Sequence, residues 1–168
     1  FPTKFFDLDR CFSIQRLSVA GGGELVLINS HMSAYDEGGT VRAAQLELLG
    51  GVLREEREKG NYVIVGGDFN HALCGTVQAF ASGQQIPVWV FEFSDSDLPE
   101  GFHVVEAENL TEVPTCRSSD MPYTPGVNYT AVLDGFIVSD NLTATARNVD
   151  TGFAYSDHNP VLLTFVLG

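Results

Sequence analysis

The chain has 168 residues, 44% of them hydrophobic, with no apolar run long enough to span a bilayer, so it reads as about one domain of globular material without stable membrane insertion. Nine Lys and Arg against 22 Asp and Glu leave a net charge of −13, which opposes non-specific attraction to nucleic acid or an anionic membrane. Phosphate-bearing substrates are not thereby excluded, because a bound metal inverts the local field.

Phe1 to Arg10 mix aromatic and charged residues and form an opening segment. Cys11 to Val19, the Ala20-Gly21-Gly22-Gly23 turn and the apolar run Glu24 to Asn29 predict a β-hairpin whose second strand is central. Where that strand ends, Asn29 and His31 share a face by period-two geometry. Asp36 to Gly39 make a polar loop, and Thr40 is placed to cap a helix running to about Lys59. Val41, Ala44, Leu48 and Val52, with Leu49 and Leu53 beside them, recur at three- and four-residue spacing as one apolar stripe. Glu55 and Lys59 form an i,i+4 pair, and Gly60-Asn61 stops the helix.

Val63-Ile64-Val65-Gly66-Gly67-Asp68-Phe69-Asn70 then reads as a buried strand whose end points Asp68 and Asn70 to one side. The glycine pair allows a close backbone approach there. Strand, helix, strand predicts a βαβ crossover in a parallel or mixed sheet.

From His71 to Val127 the pattern weakens. Thr76 to Ala81 suits a short helix, and Pro87 to Phe93 a strand or an aromatic wall, with core packing favoured for its rings. Asp95 to Pro99 and Met121 to Gly126 read as loops, which on a rigid sheet carry specificity. Ala131 to Val138 is a third strand, in which Asp134 is conspicuous because an unpaired carboxylate among apolar residues is costly. Val161 to Val166 is the last, preceded by Ser156-Asp157-His158-Asn159-Pro160. Cys11, Cys74 and Cys116 are odd in number and lack a CxxC pair, which indicates buried free thiols and neither a disulfide framework nor a zinc site. The sequons at Asn109, Asn128 and Asn141 matter only on a secretory route, and the opening residues carry no readable address, so the compartment is unknown.

Four strands or strand approaches thus end in acid, amide or imidazole: Asn29 with His31, Asp68 with Asn70, Asp134, and Asp157 with His158. Singly, each reads as a turn cap or a structural histidine. If the strands share one sheet, the ends meet in a polar basin suited to metal-assisted hydrolysis.

The ordered set Asn-x-His, Gly-Gly-Asp-Phe-Asn, Asp-Gly-Phe-Ile-Val-Ser and Ser-Asp-His-Asn-Pro-Val resembles the endonuclease/exonuclease/phosphatase superfamily, which includes deoxyribonuclease I, from about Leu25 to Val166. Arg42 and Gln45 also fit the family's pattern. The resemblance implies a deoxyribonuclease I-like α/β sandwich and phosphoester hydrolysis with Mg²⁺ or Mn²⁺. It implies Asp68 as the group that orients or deprotonates water, and Asn70 as a phosphate or metal contact. His158 would meet the scissile phosphate with Asp134 holding its tautomer, His31 would stabilise developing charge, and Asp157, with Asp68 and Asn70, would ligate metal. Asn29 and Arg117 are the remaining substrate-side candidates.

The family's N-terminal asparagine and its principal metal-binding glutamate have no counterpart in this sequence. The whole of 1–168 therefore resembles the C-terminal half, with one mixed sheet and covering helices. The resemblance implies low activity alone, and association with the missing half or self-association through the exposed sheet face. The acidic balance and the lack of a Lys/Arg stripe favour a small-molecule or lipid-headgroup phosphoester over nucleic acid. A nuclease of the same superfamily and a non-catalytic scaffold are the alternatives, and so many converging polar groups argue against the scaffold.

Overall fold

The structure is a computed structural model that describes residues 10–168, so all of the opening segment but Arg10 lies outside the described residues. At its centre is a five-stranded mixed sheet. β1 (Phe12–Ser18) and β2 (Glu24–His31) form the expected antiparallel hairpin, and α1 (Thr40–Glu58) crosses over to β3 (Tyr62–Asp68), which pairs parallel with β2. The Gly66-Gly67 pair is used as its spacing suggests. Gly67 has φ 152, and a Cβ there would run into the Ser30 carbonyl.

Beyond β3, β4 (Ala72–Leu73) and β5 (Glu92–Phe93) make a small parallel pair. β6 (Phe102–Val104) is an edge strand of the main sheet, while β7 (Cys116–Arg117) and β8 (Thr130–Ala131) pair apart from it. β9 (Asp134–Ser139) lies between β3 and β6, antiparallel to both. β10 (Leu142–Asn148) and β11 (Val161–Leu167) form an antiparallel ribbon of their own.

Several expectations need correction. The third strand is two, β8 and β9, interrupted at Val132 and Leu133. The last strand is outside the main sheet, so not all four polar ends belong to one sheet. Pro87 to Phe93 is a turn, with Val90 N donating to Pro87 O at 3.0 Å, and only its end is strand. The short helix shrinks to a 3-10 turn at Thr76–Gln78. Among the described residues α1 is the one α-helix that covers the sheet.

The helix also starts and faces differently. Its N-cap is Gly39, at φ 65, and Asp36 Oδ2 accepts from Arg42 N at 3.0 Å, so Asp36 supplies the capping that Thr40 was expected to give. The buried face runs through Arg42, Leu49, Gly50, Leu53 and Glu56, while Val41 and Leu48 are 50% and 64% exposed. Hydrophobicity missed this orientation because two charged residues lie on the inner face. Glu56 is held by Arg16 at 2.7 and 2.9 Å, Asn61 at 2.8 Å and Lys59 at 3.0 Å. Arg42 Nη1 and Nη2 reach carbonyls at 2.8 and 2.6 Å, as buried charge requires. Val26, Ile28, Val63, Val65 and Ile137 alternate onto the sheet face that joins Leu49 and Leu53 in one core. The Glu55–Lys59 pair forms at 2.7 Å.

Cys11 is exposed and the other two cysteines half-buried, all free, which corrects the expectation of buried thiols for Cys11. Asn109 and Asn141 donate to the Asn148 and Asn61 carbonyls, and Asn128 is buried, so the three sequon side chains are structural in this fold. No helix among the described residues is long and apolar enough to cross a membrane.

Candidate active site

Strand register assembles the centre of the site. His31 at the end of β2 lies directly across from Asp68 at the end of β3, and Asp68 lies across from Asp134 at the start of β9. Opposed residues project to the same face, so three side chains form one row across three neighbouring strands. Thr115 Oγ1 accepts from the N–H groups of Leu133 and Asp134, at 2.9 and 3.0 Å, and fixes the start of β9.

His158 arrives from the segment before β11. It forms a bridge with Cys116, and its neighbour Asn159 is held by Thr115 O at 2.7 Å and Pro114 O at 2.9 Å. His158 Nδ1 lies 2.7 Å from Asp134 Oδ2, and its Nε2 is 3.8 Å from Asp68 Oδ2. His31 Nε2 stands 3.3 Å from that same oxygen. Asn70, at φ 48, donates its N–H to Asp68 Oδ1 at 2.8 Å and its amide to Met32 O at 2.9 Å. The buried Arg42 holds Asn70 O at 2.8 Å.

The surroundings shift the charges. Burial first, and the neighbouring Asp134 second, push the Asp68 carboxyl up to about 6, against the opposing bond from Asn70 N–H. The bond to Asp134 chiefly, with Cys116 next, pushes His158 up to about 11, making it an imidazolium at neutral pH. Burial, then Arg10 and His158, lower His31, which leaves it a neutral ring. A carboxylate poised near neutrality thus faces one cationic and one neutral imidazole, a set able to take a proton and to donate hydrogen bonds to a developing oxyanion.

These groups open onto a cavity of about 700 Å³ that also takes in Asp157, Arg117 and Arg10. Tyr35 and Trp89 meet edge to face at 5.2 Å on its wall, so Trp89 belongs to the cavity. Arg117 Nη1 is bonded to Ser118 O at 2.9 Å, and its N–H holds Asp157 O at 3.0 Å. Asn29 is exposed, opposite Ser13 and Gly66, and does not line the cavity. Ligand atoms of Asp68, Asp134 and His158 lie within 4.8 Å of one another, and Asp157 is outside that cluster. Sequence reading missed Arg10, Tyr35, Thr115 and Cys116, which carry no spacing signal. Thr115 and Cys116 acquire a place only through the β7 and β8 pairing.

No protein-family model matches the chain, and no curated protein matches it. Solved structures do. The chain is similar to TDP2 from Danio rerio complexed with single-strand DNA product, with 20% identity and a TM-score of 0.60, covering 94% of this chain and 62% of that one. For an endonuclease/exonuclease/phosphatase from Bacteroides vulgatus the identity is 16% and the TM-score 0.58, with 95% and 56% covered. For the human Nocturnin catalytic domain with bound sulfate they are 21% and 0.54, with 95% and 54% covered. The chain spans between about half and three-fifths of these structures' length. It has the deoxyribonuclease I-like fold of endonuclease/exonuclease/phosphatase proteins.

Proposed function

We propose that the chain is the C-terminal part of a metal-dependent phosphoester hydrolase that directs water at phosphorus. The observation that carries this reading is Asp68, held by Asn70 and flanked by His31 and by the His158–Asp134 pair, at the mouth of a cavity. Asp68 takes the water's proton, His158 meets a phosphoryl oxygen as a cation, and His31 donates to the charge that develops. Asp134 fixes which nitrogen of His158 is free.

The oxygen donors present fit Mg²⁺ or Mn²⁺ in kind, since magnesium is commonly held by one or two carboxylates with water completing the shell. Asp68 and Asp157, with Asn70, would hold it, and the ion would polarise the phosphoryl group. With so few oxygen donors the 168-residue chain alone has little turnover. A panel of phosphoesters with Mg²⁺ and with Mn²⁺ tests the reading on the full-length parent. Hydrolysis abolished in Asp68→Ala and His158→Ala supports it, and hydrolysis surviving both refutes it. Robust magnesium-dependent turnover by the 168-residue chain would refute its incompleteness.

The net charge of −13 favours a small-molecule or headgroup phosphoester. A single-stranded nucleic acid is the second reading, favoured by the Tyr35–Trp89 wall beside Arg117, since unpaired bases stack on exposed rings.

A further inference from the structure

We propose that a second cavity, between the start of β1, the end of β2 and α1, takes the apolar tail of an amphiphilic phosphoester whose phosphate lies in the reaction cavity. For its phosphate end the proposal rests on the hydrolytic reading. The second cavity has about 300 Å³, about ten times a water molecule's share of the liquid, which is room for a short alkyl chain. Met32 and Leu49, 2% and 1% exposed, make its floor, and the more exposed Phe12 and Leu48 its rim. Asp68, Asp134 and His158 do not line it.

Its amide leaves little for a polar ligand. Gln45 Oε1 accepts from Ser33 N–H at 3.0 Å and Gln45 Nε2 donates to Ser33 Oγ at 3.1 Å, so that side chain is engaged at both ends. What remains is chiefly carbon, which a buried alkyl chain covers with a gain that grows with its length. Two links join this cavity to the site. Arg10 and His31 line both cavities, and a cation on the shared wall suits a phosphate there with methylenes running on past it. Met32 N–H donates to Asp68 O at 2.9 Å and Met32 O accepts the Asn70 amide at 2.9 Å, which ties the floor of the second cavity to the turn that carries Asp68 and Asn70. A net charge of −13 opposes a polyanion and admits a single phosphate on a neutral tail. A nucleic acid has no alkyl chain to place there, so occupancy of this cavity separates the two substrate classes.

Calorimetric titration of the 168-residue chain with methyl-, butyl-, hexyl- and octylphosphonate in the presence of Mg²⁺ tests the cavity without turnover, because the carbon–phosphorus bond is not a phosphoester. Affinity is expected to rise by about threefold per added methylene and to level off as the cavity fills. Cys11, exposed and lining the cavity, reports the place: its reaction with a disulfide reagent slows with hexylphosphonate and is unchanged with methylphosphonate. Cys11→Trp fills the cavity from an exposed position and Leu48→Gln makes its rim polar. Each is expected to take away about threefold or more of the hexyl gain while leaving methylphosphonate binding and the melting temperature unchanged. Leu162→Gln, on the exposed side of β11, leaves the gain intact. Affinity independent of chain length overturns the proposal, and with methylphosphonate still bound it leaves the hydrolytic reading standing. A gain that survives both cavity variants, or hexanol bound as tightly as hexylphosphonate, overturns it too. A full gain beside a full-length parent that cleaves no phosphoester upholds the cavity and refutes the hydrolytic reading alone.

Discussion

Asp134 and Arg42 show what a single buried contact does to the chemistry beside it. The Asp134 carboxylate is the main reason His158 is held up to about 11. Asp134→Asn removes that charge, so the imidazole is expected to fall by roughly 1–3 units, the usual effect of one close opposite charge. An NMR titration of the His158 ring reads this directly, and an unmoved midpoint would mean that Cys116 is the stronger influence. Arg42 acts at one remove. It is fully buried, holds the Asn70 and Asp36 carbonyls, and lies 5.0 Å from the Phe91 ring centroid. Arg42→Leu leaves those carbonyls without their donor, and chemical denaturation is expected to show a loss of about 3 kcal/mol. The sequence placed both residues on the right elements. The Asp134–His158 pair, 24 positions apart, was legible only through the family resemblance, whereas Asn70, 28 positions from Arg42, left no signal of their contact.

At the scale of elements, local pattern was readable wherever strand or helix periodicity was unbroken. The β1–β2 hairpin, α1 and β3 follow from glycine turns and apolar runs, and their ends carry His31 and Asp68. From His71 to Val127 the elements are two or three residues long, too short for a period to show. β10 was overlooked although Leu142-Thr143-Ala144-Thr145-Ala146 alternates, because its small residues carry little apolar signal. The inner face of α1 offers two tests. Leu49→Ala is expected to cost about 2–4 kcal/mol and Leu48→Ala less than about 0.5, the reverse of what a Val41–Leu48 stripe would give. Glu56, held chiefly by Arg16, lies well below its ordinary 4.5, at about 2. A depressed carboxyl stabilises the fold fully above 4.5 and loses that contribution as pH falls toward 2. Glu56→Gln should therefore cost about 2 kcal/mol at neutral pH, with the gap from the parent closing on acidification. A gap that persists at the acid end would show that Asn61 and packing hold Glu56, with the Arg16 charge unimportant.

For the whole molecule, the decisive feature is β11. Val161-Leu162-Leu163-Thr164-Phe165-Val166-Leu167 is almost continuously apolar, the composition of a strand covered on both faces. In this fold it pairs only with β10, its other edge meets no strand among the described residues, and Leu162 and Val166 are 58% and 68% exposed. Leu17, on the edge strand of the main sheet, is similarly uncovered. This chain covers only 54–62% of structures of the same fold. We propose that the remaining strands of such a domain add to the β11 edge, and that without them the chain associates with itself there, as an open apolar edge does. Light scattering of the 168-residue chain over a range of concentrations is expected to show a mass that rises with concentration, together with binding of an apolar dye. Leu162→Glu with Val166→Glu changes solvent-facing side chains at little cost to the fold, and is expected to return a monomer and suppress dye binding. A parent chain that is monomeric at every concentration and binds no dye would mean that β11 is self-sufficient. The half-domain reading would then lose its physical basis.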